Sequence, residues 1–299
     1  MHTGQVDVPV EVVAGLVAEQ FPRWRRLSVR PVASDGTVNA LFRLGDDVVL
    51  RFPLRPAPDL VDELRREQDH ARRLAALLPV AVPEPLGLGA PGTGYPGPWT
   101  AYRWLPGAPA DPRAVGADSH FARDLAAVVD TLHGIATDGR RWDGRSRGGP
   151  LATMDAAVRK ALARSGHLVD AAHLRRVWES SLTAPHPTVE SWLHADLMPG
   201  NLLVRDGRLA AVIDLETVCV GDPAVDLMPA WNLLRGAARQ TFRQRLGADD
   251  AMWERGRGWA LAQAVVALPY YEHTNPPMAQ TARRTLEALL EPAPGQTRR

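Results

Sequence analysis

The sequence predicts an α+β fold with two lobes, in which a small antiparallel sheet is followed by a mostly helical lobe. Three observations support this prediction. Short β-branched and apolar runs, separated by Asp- and Gly-containing turns, occupy the first third of the chain. Apolar residues at helical spacing dominate after Gly107, and one further hairpin pattern interrupts them near Asn201. We therefore predict a first lobe of residues 1–103 and a second lobe of residues 104–299.

The first lobe is predicted to combine short strands with two helices. Val10, Val13 and Val17 recur at helical spacing, and Gly45-Asp46-Asp47 has the composition of a tight hairpin turn. A long amphipathic pattern follows the hairpin, and a proline- and glycine-rich connector follows that pattern. In chain order, the predicted elements are a helix at 10–20, strands at 28–32, 38–44 and 48–52, a helix at 59–78, a connector at 83–98 and a strand at 99–104.

The second lobe is predicted to be helical around one hairpin. The turn Asp206-Gly207 separates two apolar runs, and Asp222-Pro223 has the composition of a capped helix start. In chain order, the predicted elements are helices at 119–135, 151–163 and 169–182, strands at 189–193, 201–204 and 209–214, and a helical tail that includes 253–271.

The composition is that of an ordinary globular protein, with 45% hydrophobic and 23% charged residues among 299. The 35 basic and 34 acidic residues balance, so charge does not indicate a nucleic-acid or membrane partner. No signal peptide or apolar run of about 20 residues is visible, and the single cysteine, Cys219, suits a reducing compartment. We expect a cytoplasmic monomer or homodimer that binds neither nucleic acid nor membrane.

The segment from Trp192 to Asp226 carries the clearest chemical pattern. Asp196 follows His194 by two residues and precedes Asn201 by five, and Asp214 ends the next apolar run. This is the order of a kinase catalytic loop followed by a metal-binding aspartate on the next strand. That chemistry needs one carboxylate to orient and deprotonate a hydroxyl, and two oxygen side chains to hold magnesium against nucleotide phosphates. A surface loop that is acidic by chance is a poor alternative, because the whole set occurs at this spacing.

With these residues, the chain resembles the aminoglycoside phosphotransferase family, kinase-like enzymes that phosphorylate hydroxyl groups of small molecules. The resemblance spans roughly residues 30–271. It implies a protein-kinase-like two-lobed fold, ATP or GTP and Mg²⁺ as cofactors, Asp196 as the catalytic base, and Asn201 and Asp214 as magnesium ligands. The most specific matches are His194-Ala195-Asp196-Leu197 with Asn201, Val212-Ile213-Asp214, Gly221-Asp222-Pro223 and Asp226-Leu227.

The resemblance also implies nucleotide contacts in the first lobe, through two softer matches. One is a hairpin loop above the phosphates, and the other is a hinge whose backbone binds adenine. The residues concerned are Gly36, Thr37 and Asn39 in the hairpin loop, and Tyr102, Arg103 and Leu105 in the hinge.

Three positions depart from the pattern of the family. Ala195 stands where glycine is usual, and Leu215-Glu216 follows the metal aspartate without a glycine. Arg51 occupies the strand position that holds lysine in many kinases, and Lys160 is the chain's only lysine. Arginine can bind phosphate oxygens through two parallel hydrogen bonds, so Arg51 is expected to take over the phosphate-anchoring role.

Glu67 supports that expectation. It lies seven residues after Leu60 and seven before Leu74, on the apolar face of its predicted helix. A buried carboxylate is costly without a partner. A partner is therefore expected, and in the kinase-like lobe that the resemblance implies, this partner is the strand cation, Arg51. The alternative is that Glu67 lies at the edge of the apolar face and reaches solvent.

Three functions remain open from the sequence. The first is ATP- and magnesium-dependent phosphorylation of an antibiotic or related natural product, of aminoglycoside, macrolide or nucleoside type. The second is a metabolic kinase for a sugar, a choline-like alcohol or an amino-acid hydroxyl. The third is an inactive kinase-like binding protein, against which the retained Asp196, Asn201 and Asp214 argue. The candidate contacts to the acceptor substrate are Glu216, Trp231, Asn232, Tyr270 and Glu272.

Overall fold

In a computed structural model, the chain is described over residues 5–34, 36, 38–57 and 59–291. It divides into two compact units, Met1–Pro106 with Ala211–Glu216, and Gly107–Ala210 with Thr217–Arg299. The predicted α+β class is confirmed, with a sheet in the first unit and mainly helices in the second. The predicted division at 103/104 differs from this one in two respects. The boundary lies after Pro106, and Ala211–Glu216, which includes Asp214, belongs to the first unit.

The first unit is built on a five-stranded antiparallel sheet with the order β1-β2-β3-β5-β4. Its core packs Val13 and Leu16 of the first helix with Phe52 and Trp99, whose rings stack at 4.9 Å. The elements are α1 (Val10–Gln20), β1 (Val29–Val32), β2 (Asn39–Leu44), β3 (Val48–Pro53), α2 (Leu60–Ala75), β4 (Pro85–Gly89) and β5 (Trp99–Arg103).

Strand β4 corrects the predicted connector. It lies at the edge of the sheet, with a bulge between Pro85 and Gly87. Proline is tolerated there because an edge strand leaves one row of N–H groups unpaired by the sheet. At Gly89, a β-carbon would lie 2.0 Å from the Trp99 ring, so glycine is needed for the indole to pack across the strand. Residues 85–89 of the predicted connector therefore form a strand.

The second unit is mainly helical, and the long helix α9 packs against α5, α6 and α10. Within the described part of the chain, no helix combines the length and apolarity needed to cross a membrane. The elements are β6 (Ala108–Pro109), α3 (Pro112–Val115), α4 (Ser119–His133), α5 (Asp155–Arg164), α6 (Ala171–Thr183), β7 (Ser191–Leu193), β8 (Leu202–Arg205), β9 (Arg208–Val212), β10 (Cys219–Gly221), α7 (Pro229–Asn232), α8 (Gly236–Arg245), α9 (Asp250–Tyr271) and α10 (Pro276–Leu289).

Two short strands in this unit were not predicted. Strand β6 pairs with β8, and β10 pairs antiparallel with β7, so that Cys219 lies opposite Leu193. Each has only two or three residues, too few to show the alternating pattern by which strands are recognised in a sequence. Strand β10 brings the residues around Cys219 next to the strand that leads into His194 and Asp196.

Candidate active site

Arg51 and Glu67 form the central ion pair of the first unit. Arg51 lies on β3 and Glu67 on α2, where the carboxylate is buried. Arg51 Nη1 donates to Glu67 Oε1, and Arg51 Nη2 donates to Asp214 Oδ1 at 3.1 Å. The predicted pairing is therefore confirmed, and Asp214 joins it. The binding of phosphate by Arg51 remains a prediction.

The electrostatics of this cluster keep the guanidinium charged. Burial alone would lower the pKa of Arg51, but the negative charges of Glu67 and Asp214 outweigh it and raise that pKa above its ordinary value. Partial removal from water raises the pKa of Glu216, and the negative charges of Asp214 and Glu67 add to this effect. Glu216 therefore lies within range of the charges of Asp214 and Glu67 in the first unit, and its contact with an acceptor remains a prediction.

The predicted nucleotide residues are distributed as follows. The N–H of Gly36 donates to Ser34 Oγ at 3.0 Å, and Asn39 opens β2. Thr37 lies outside the described residues. Tyr102 is buried on β5, with its ring 5.8 Å from the Arg51 guanidinium. All of them remain predictions as nucleotide contacts.

Part of the backbone in the predicted hinge, residues 102–105, already forms hydrogen bonds within the first unit. The N–H of Arg103 donates to Glu84 O at 2.9 Å, and that of Trp104 donates to Asp47 O at 2.7 Å. The Arg103 side chain is paired with the Glu84 carboxylate. A purine would therefore have to use other backbone groups of this segment, of which Leu105 supplies the next.

Asp196 in the second unit is held on both of its carboxylate oxygens. Asn201 Nδ2 donates to Asp196 Oδ2 at 3.1 Å and to the Asp196 carbonyl at 2.9 Å. Gln263 Nε2, from helix α9, donates to Oδ1 at 3.1 Å, and Arg147 Nη1 donates to the same oxygen. The predicted association of Asp196 with Asn201 is thus present. Neither Arg147 nor Gln263 was predicted, because each lies far from the motif in sequence.

A buried aspartate, Asp226, holds the loop that carries Asp196 through hydrogen bonds to its backbone. Asp226 accepts the N–H of His194 at 2.9 Å and that of Ala195 at 2.8 Å. Asn232 Nδ2 donates to Leu197 O at 3.1 Å. These bonds satisfy backbone groups that would otherwise be buried unpaired. Asp226 therefore has a structural role, since it supports the loop that carries Asp196.

Two predicted acceptor contacts are largely buried. Asn232, 2% exposed, supports the loop, and Trp231, 5% exposed, has its ring 4.7 Å from that of Trp253. Contact of these two residues with an acceptor remains a prediction. Tyr270 is exposed, and Glu272 pairs with Arg283 at 3.7 Å; both remain predictions as acceptor contacts.

Ala195 and Asp214 share an unusual backbone conformation. Their φ angles are 63° and 66°, in the left-handed region that favours glycine. This explains why glycine is usual in the family at the position of Ala195. The turn at Asp214 needs no glycine after it, because the aspartate itself adopts the left-handed conformation, which Asp tolerates better than most residues.

The predicted magnesium ligands offer oxygen atoms of the type that Mg²⁺ prefers. The amide nitrogen of Asn201 is engaged with Asp196, so its carbonyl oxygen is the atom left to bind a cation. Among the described residues, no group of three or more His, Cys, Asp or Glu side chains is placed to hold a metal ion. Magnesium usually takes one or two protein ligands together with water and phosphate oxygens, so Asn201 and Asp214 fit it chemically.

Comparison with known sequences identifies one family. A sequence profile of the phosphotransferase enzyme family, APH, matches residues 28–259. That stretch covers most of the chain, including β1 to β10 and the residues from Arg51 to Asp226. A comparison with functionally curated proteins finds no significant match.

Solved structures with a similar fold are antibiotic phosphotransferases. The GDP and kanamycin complex of APH(2")-IIia has a TM-score of 0.72 at 19% identity, covering 93% of this chain and 97% of that one. The macrolide 2'-phosphotransferase MphH from Brachybacterium faecium has a TM-score of 0.61 at 26% identity, covering 95% and 99%. The ADP-bound APH(2'')-Ib has a TM-score of 0.59 at 15% identity, covering 95% of this chain and 97% of that one.

Proposed function

The chain belongs to the phosphotransferase enzyme family, whose members act on hydroxyl groups, and we propose that it transfers the γ-phosphoryl group of ATP or GTP to a hydroxyl of a small natural product. The acceptor class we favour is a neutral or singly charged molecule of macrolide or nucleoside type. A strongly polycationic aminoglycoside is less favoured.

The observation that carries this proposal is that hydrogen bonds orient the Asp196 carboxylate. Asn201 fixes Oδ2 and the loop backbone at once, and Arg147 and Gln263 fix Oδ1. A carboxylate held in this way can accept a hydrogen bond from an acceptor hydroxyl in one orientation. An inactive binding protein would not need a carboxylate oriented by three side chains.

The nucleotide side of the proposal rests on the first unit. Arg51 is a guanidinium kept charged by Glu67 and Asp214, and a guanidinium can bind phosphate oxygens in a bidentate manner. Asn201 and Asp214 would hold the magnesium ion, which neutralises charge on the nucleotide phosphates when it is bound. The solved structures that resemble the chain in fold include GDP and ADP complexes.

The acceptor preference rests on charge. Arg147 contributes a positive charge at the catalytic carboxylate, where the acceptor hydroxyl must bind. A polycationic acceptor would meet repulsion there, whereas a neutral sugar hydroxyl would not. The balance of 35 basic against 34 acidic residues likewise provides no excess of negative charge to attract a polycation. The similarity to a macrolide 2'-phosphotransferase at 26% identity agrees with this preference.

The test is a measurement of nucleoside diphosphate release by the purified protein with ATP or GTP and Mg²⁺. The acceptor panel should include a macrolide, an aminoglycoside, a nucleoside antibiotic, a hexose, choline and a hydroxyl amino acid. We expect acceptor-dependent release with the macrolide or nucleoside, and a phosphorylated product by mass spectrometry.

The matched control for this screen is Asp196→Asn, which keeps the shape of the side chain and removes its basicity. Release that occurs only with choline, the hexose or the amino acid would identify a metabolic kinase instead. Nucleotide binding without acceptor-dependent release from any compound would indicate the inactive binding protein.

A further inference from the structure

Arg147 contacts the catalytic carboxylate directly, although no part of the catalytic motif contains it. It lies in the irregular segment between α4 and α5. Its Nη1 donates to Asp196 Oδ1 and, at 3.0 Å, to the carbonyl oxygen of Ala195. The side chain remains 40% exposed, so that a ligand can reach the guanidinium from solvent.

The backbone that carries Arg147 is fixed at three consecutive carbonyl groups. Ser146 O accepts the indole N–H of Trp142 at 2.8 Å, Arg147 O accepts from Cys219 Sγ at 3.1 Å, and Gly148 O accepts the N–H of Asp222 at 2.7 Å. Burial raises the pKa of Cys219 to about 12, so its thiol stays protonated and can donate.

Close packing leaves this segment little room to move. A β-carbon added at Gly221 would lie 2.6 Å from Gly148 O, so the two backbones touch where β10 passes the segment. The position of Arg147 is therefore set by the fold, and its guanidinium is delivered to Asp196 from a rigid base. Rigid support of this kind is what a residue in a catalytic arrangement requires.

The hydrogen bonds of Asp196 determine how its two oxygens can be used. Oδ1 already accepts from Arg147 and Gln263, whereas Oδ2 accepts only from Asn201 among the bonds described. An ionised carboxylate offers about two acceptor sites on each oxygen. The acceptor hydroxyl can therefore bind at Oδ2 while Arg147 stays in place on Oδ1.

Chemistry then places the transferred group close to Arg147. The hydroxyl that is bound to Asp196 is the nucleophile, so the phosphoryl group must meet it within a few ångströms of this carboxylate. In the loose transition state of phosphoryl transfer, negative charge spreads over the three equatorial oxygens. Arg147 has further N–H groups, on Nε and Nη2, that are suited to those oxygens.

We propose that Arg147 is a catalytic residue that binds the phosphoryl group during its transfer, an inference that rests on the proposed function. The acceptor oxygen forms a bond to the γ-phosphorus while the bond from that phosphorus to the bridging oxygen breaks. The hydroxyl proton passes to Asp196 Oδ2, and the nucleoside diphosphate leaves with the electron pair of the broken bond. Arg147 stabilises the equatorial oxygens and holds Asp196 Oδ1 in place.

The first experiment compares Arg147→Ala and Arg147→Lys with Arg145→Ala, an exposed arginine two residues away on the same segment. We expect Arg147→Ala to lower kcat by roughly 10²–10³-fold, the effect of removing one preorganised transition-state donor, with a small change in KM for the nucleotide. Arg147→Lys should recover part of the rate, because it keeps the charge but loses the planar donor pair. Arg145→Ala should match the wild type.

The second experiment measures binding without any acceptor. Titration calorimetry would compare the affinity for MgADP with that for MgADP plus beryllium fluoride, which mimics the γ-phosphoryl group. Arg147→Ala should leave the ADP affinity unchanged and weaken the beryllium fluoride complex by roughly tenfold, the loss of one charge-assisted hydrogen bond. Arg145→Ala again serves as the control.

Two results would overturn the assignment of Arg147. A kcat equal to or above the wild-type value in Arg147→Ala would show that the ion pair only restrains Asp196. A lower kcat with unchanged affinity for the beryllium fluoride complex would show that Arg147 positions Asp196 and does not bind the phosphoryl group. Failure of the proposed function is distinguishable, because the wild type itself would then transfer phosphate to no acceptor in the panel.

Discussion

Arg51 in the first unit and Asp196 in the second have opposite charges and are held in complementary ways. Arg51 is a cation shared by two carboxylates, Glu67 and Asp214. Asp196 is an anion that accepts from Arg147, Gln263 and Asn201. Each group is thus balanced by opposite charge or donors from its own unit. The comparison teaches that groups of the protein itself hold both charged side chains in a fixed orientation.

The first cluster, of Arg51, Glu67 and Asp214, and the second cluster, of Asp196, Asn201, Arg147 and Gln263, also differ in what supports them. Arg51 and Glu67 lie on a strand and a helix, so their positions follow from regular secondary structure. Asp196 lies in a loop that depends on a buried aspartate, Asp226, and on side chains distant in sequence. We therefore expect the second cluster to be the more sensitive to substitutions outside the motif.

The largest effect is expected at Asp196, the centre of the second cluster. Asp196→Asn should lower turnover by roughly 10²–10⁴-fold, the usual contribution of general-base assistance, while nucleotide affinity changes little. Steady-state kinetics with an acceptor from the panel, together with calorimetry for MgATP, would measure both quantities. Turnover near the wild-type value would exclude Asp196 as the base.

The next effect concerns the stability of the second unit rather than its chemistry. Asp222 and Arg255 form a buried bidentate pair, at 2.8 and 3.2 Å, with side chains 1% and 7% exposed. Asp222→Ala would leave the Arg255 charge buried without its partner and remove the cap on Ala224, so unfolding should become easier by about 3–5 kcal/mol. Urea denaturation would measure the change in the free energy of unfolding.

The control for Asp222 lies in the first unit. Asp69 and Arg72 form an exposed pair on α2, at 2.8 Å, with side chains 74% and 57% exposed. Asp69→Ala should cost under about 1 kcal/mol, because solvent screens such pairs. Equal effects of the two substitutions would show that burial does not make the Asp222–Arg255 pair more stabilising than an exposed pair.

The first cluster is tested by a double-mutant cycle. Arg51→Ala should raise KM for ATP and lower kcat, by roughly 10²-fold in kcat/KM, and Glu67→Ala should act in the same direction. Because both changes break one interaction, the double variant should lose less than the sum of the two, by about 1 kcal/mol or more. Arg51→Lys should restore part of the activity. Additive losses would mean that the two residues act independently.

The sequence predicted the first cluster better than the second, for a physical reason. A carboxylate on the apolar stripe of a helix must have a partner, and the kinase-like lobe that the resemblance implied identified this partner as the strand cation, Arg51. No comparable signal exists for Arg147, which lies in an irregular segment, or for Gln263, a polar residue on a helix without a clear apolar face. Their contacts with Asp196 arise only when distant parts of the chain pack together.

The same reasoning applies to secondary structure. Helix α1 occupies the predicted residues, 10–20, because Val10, Val13 and Val17 recur at helical spacing. Strand β4 was missed because Pro85, Gly87 and Gly89 usually mark loops, whereas here they suit an edge strand that a tryptophan ring crosses. A sequence pattern predicts a helix or strand correctly where apolar side chains repeat with the period of that element. It misleads where tertiary packing determines the residue type.

The smallest effect is expected at Ala195, whose left-handed backbone can be compared with that of Asp214 in the first unit. An alanine in this conformation is strained by roughly 1–2 kcal/mol. Glycine would relieve that strain, but it would remove a buried methyl group, worth about 0.8 kcal/mol, and increase the entropy lost on folding by about 0.5–1 kcal/mol. Ala195→Gly should therefore change the free energy of unfolding by less than about 1 kcal/mol, with turnover preserved.

Ala195→Val should destabilise the protein by more than Ala195→Gly does, because a β-branched residue fits this conformation poorly. Urea denaturation of both variants would measure the order of their stabilities. A valine variant as stable as the glycine variant would show that residue 195 does not adopt the left-handed conformation in solution.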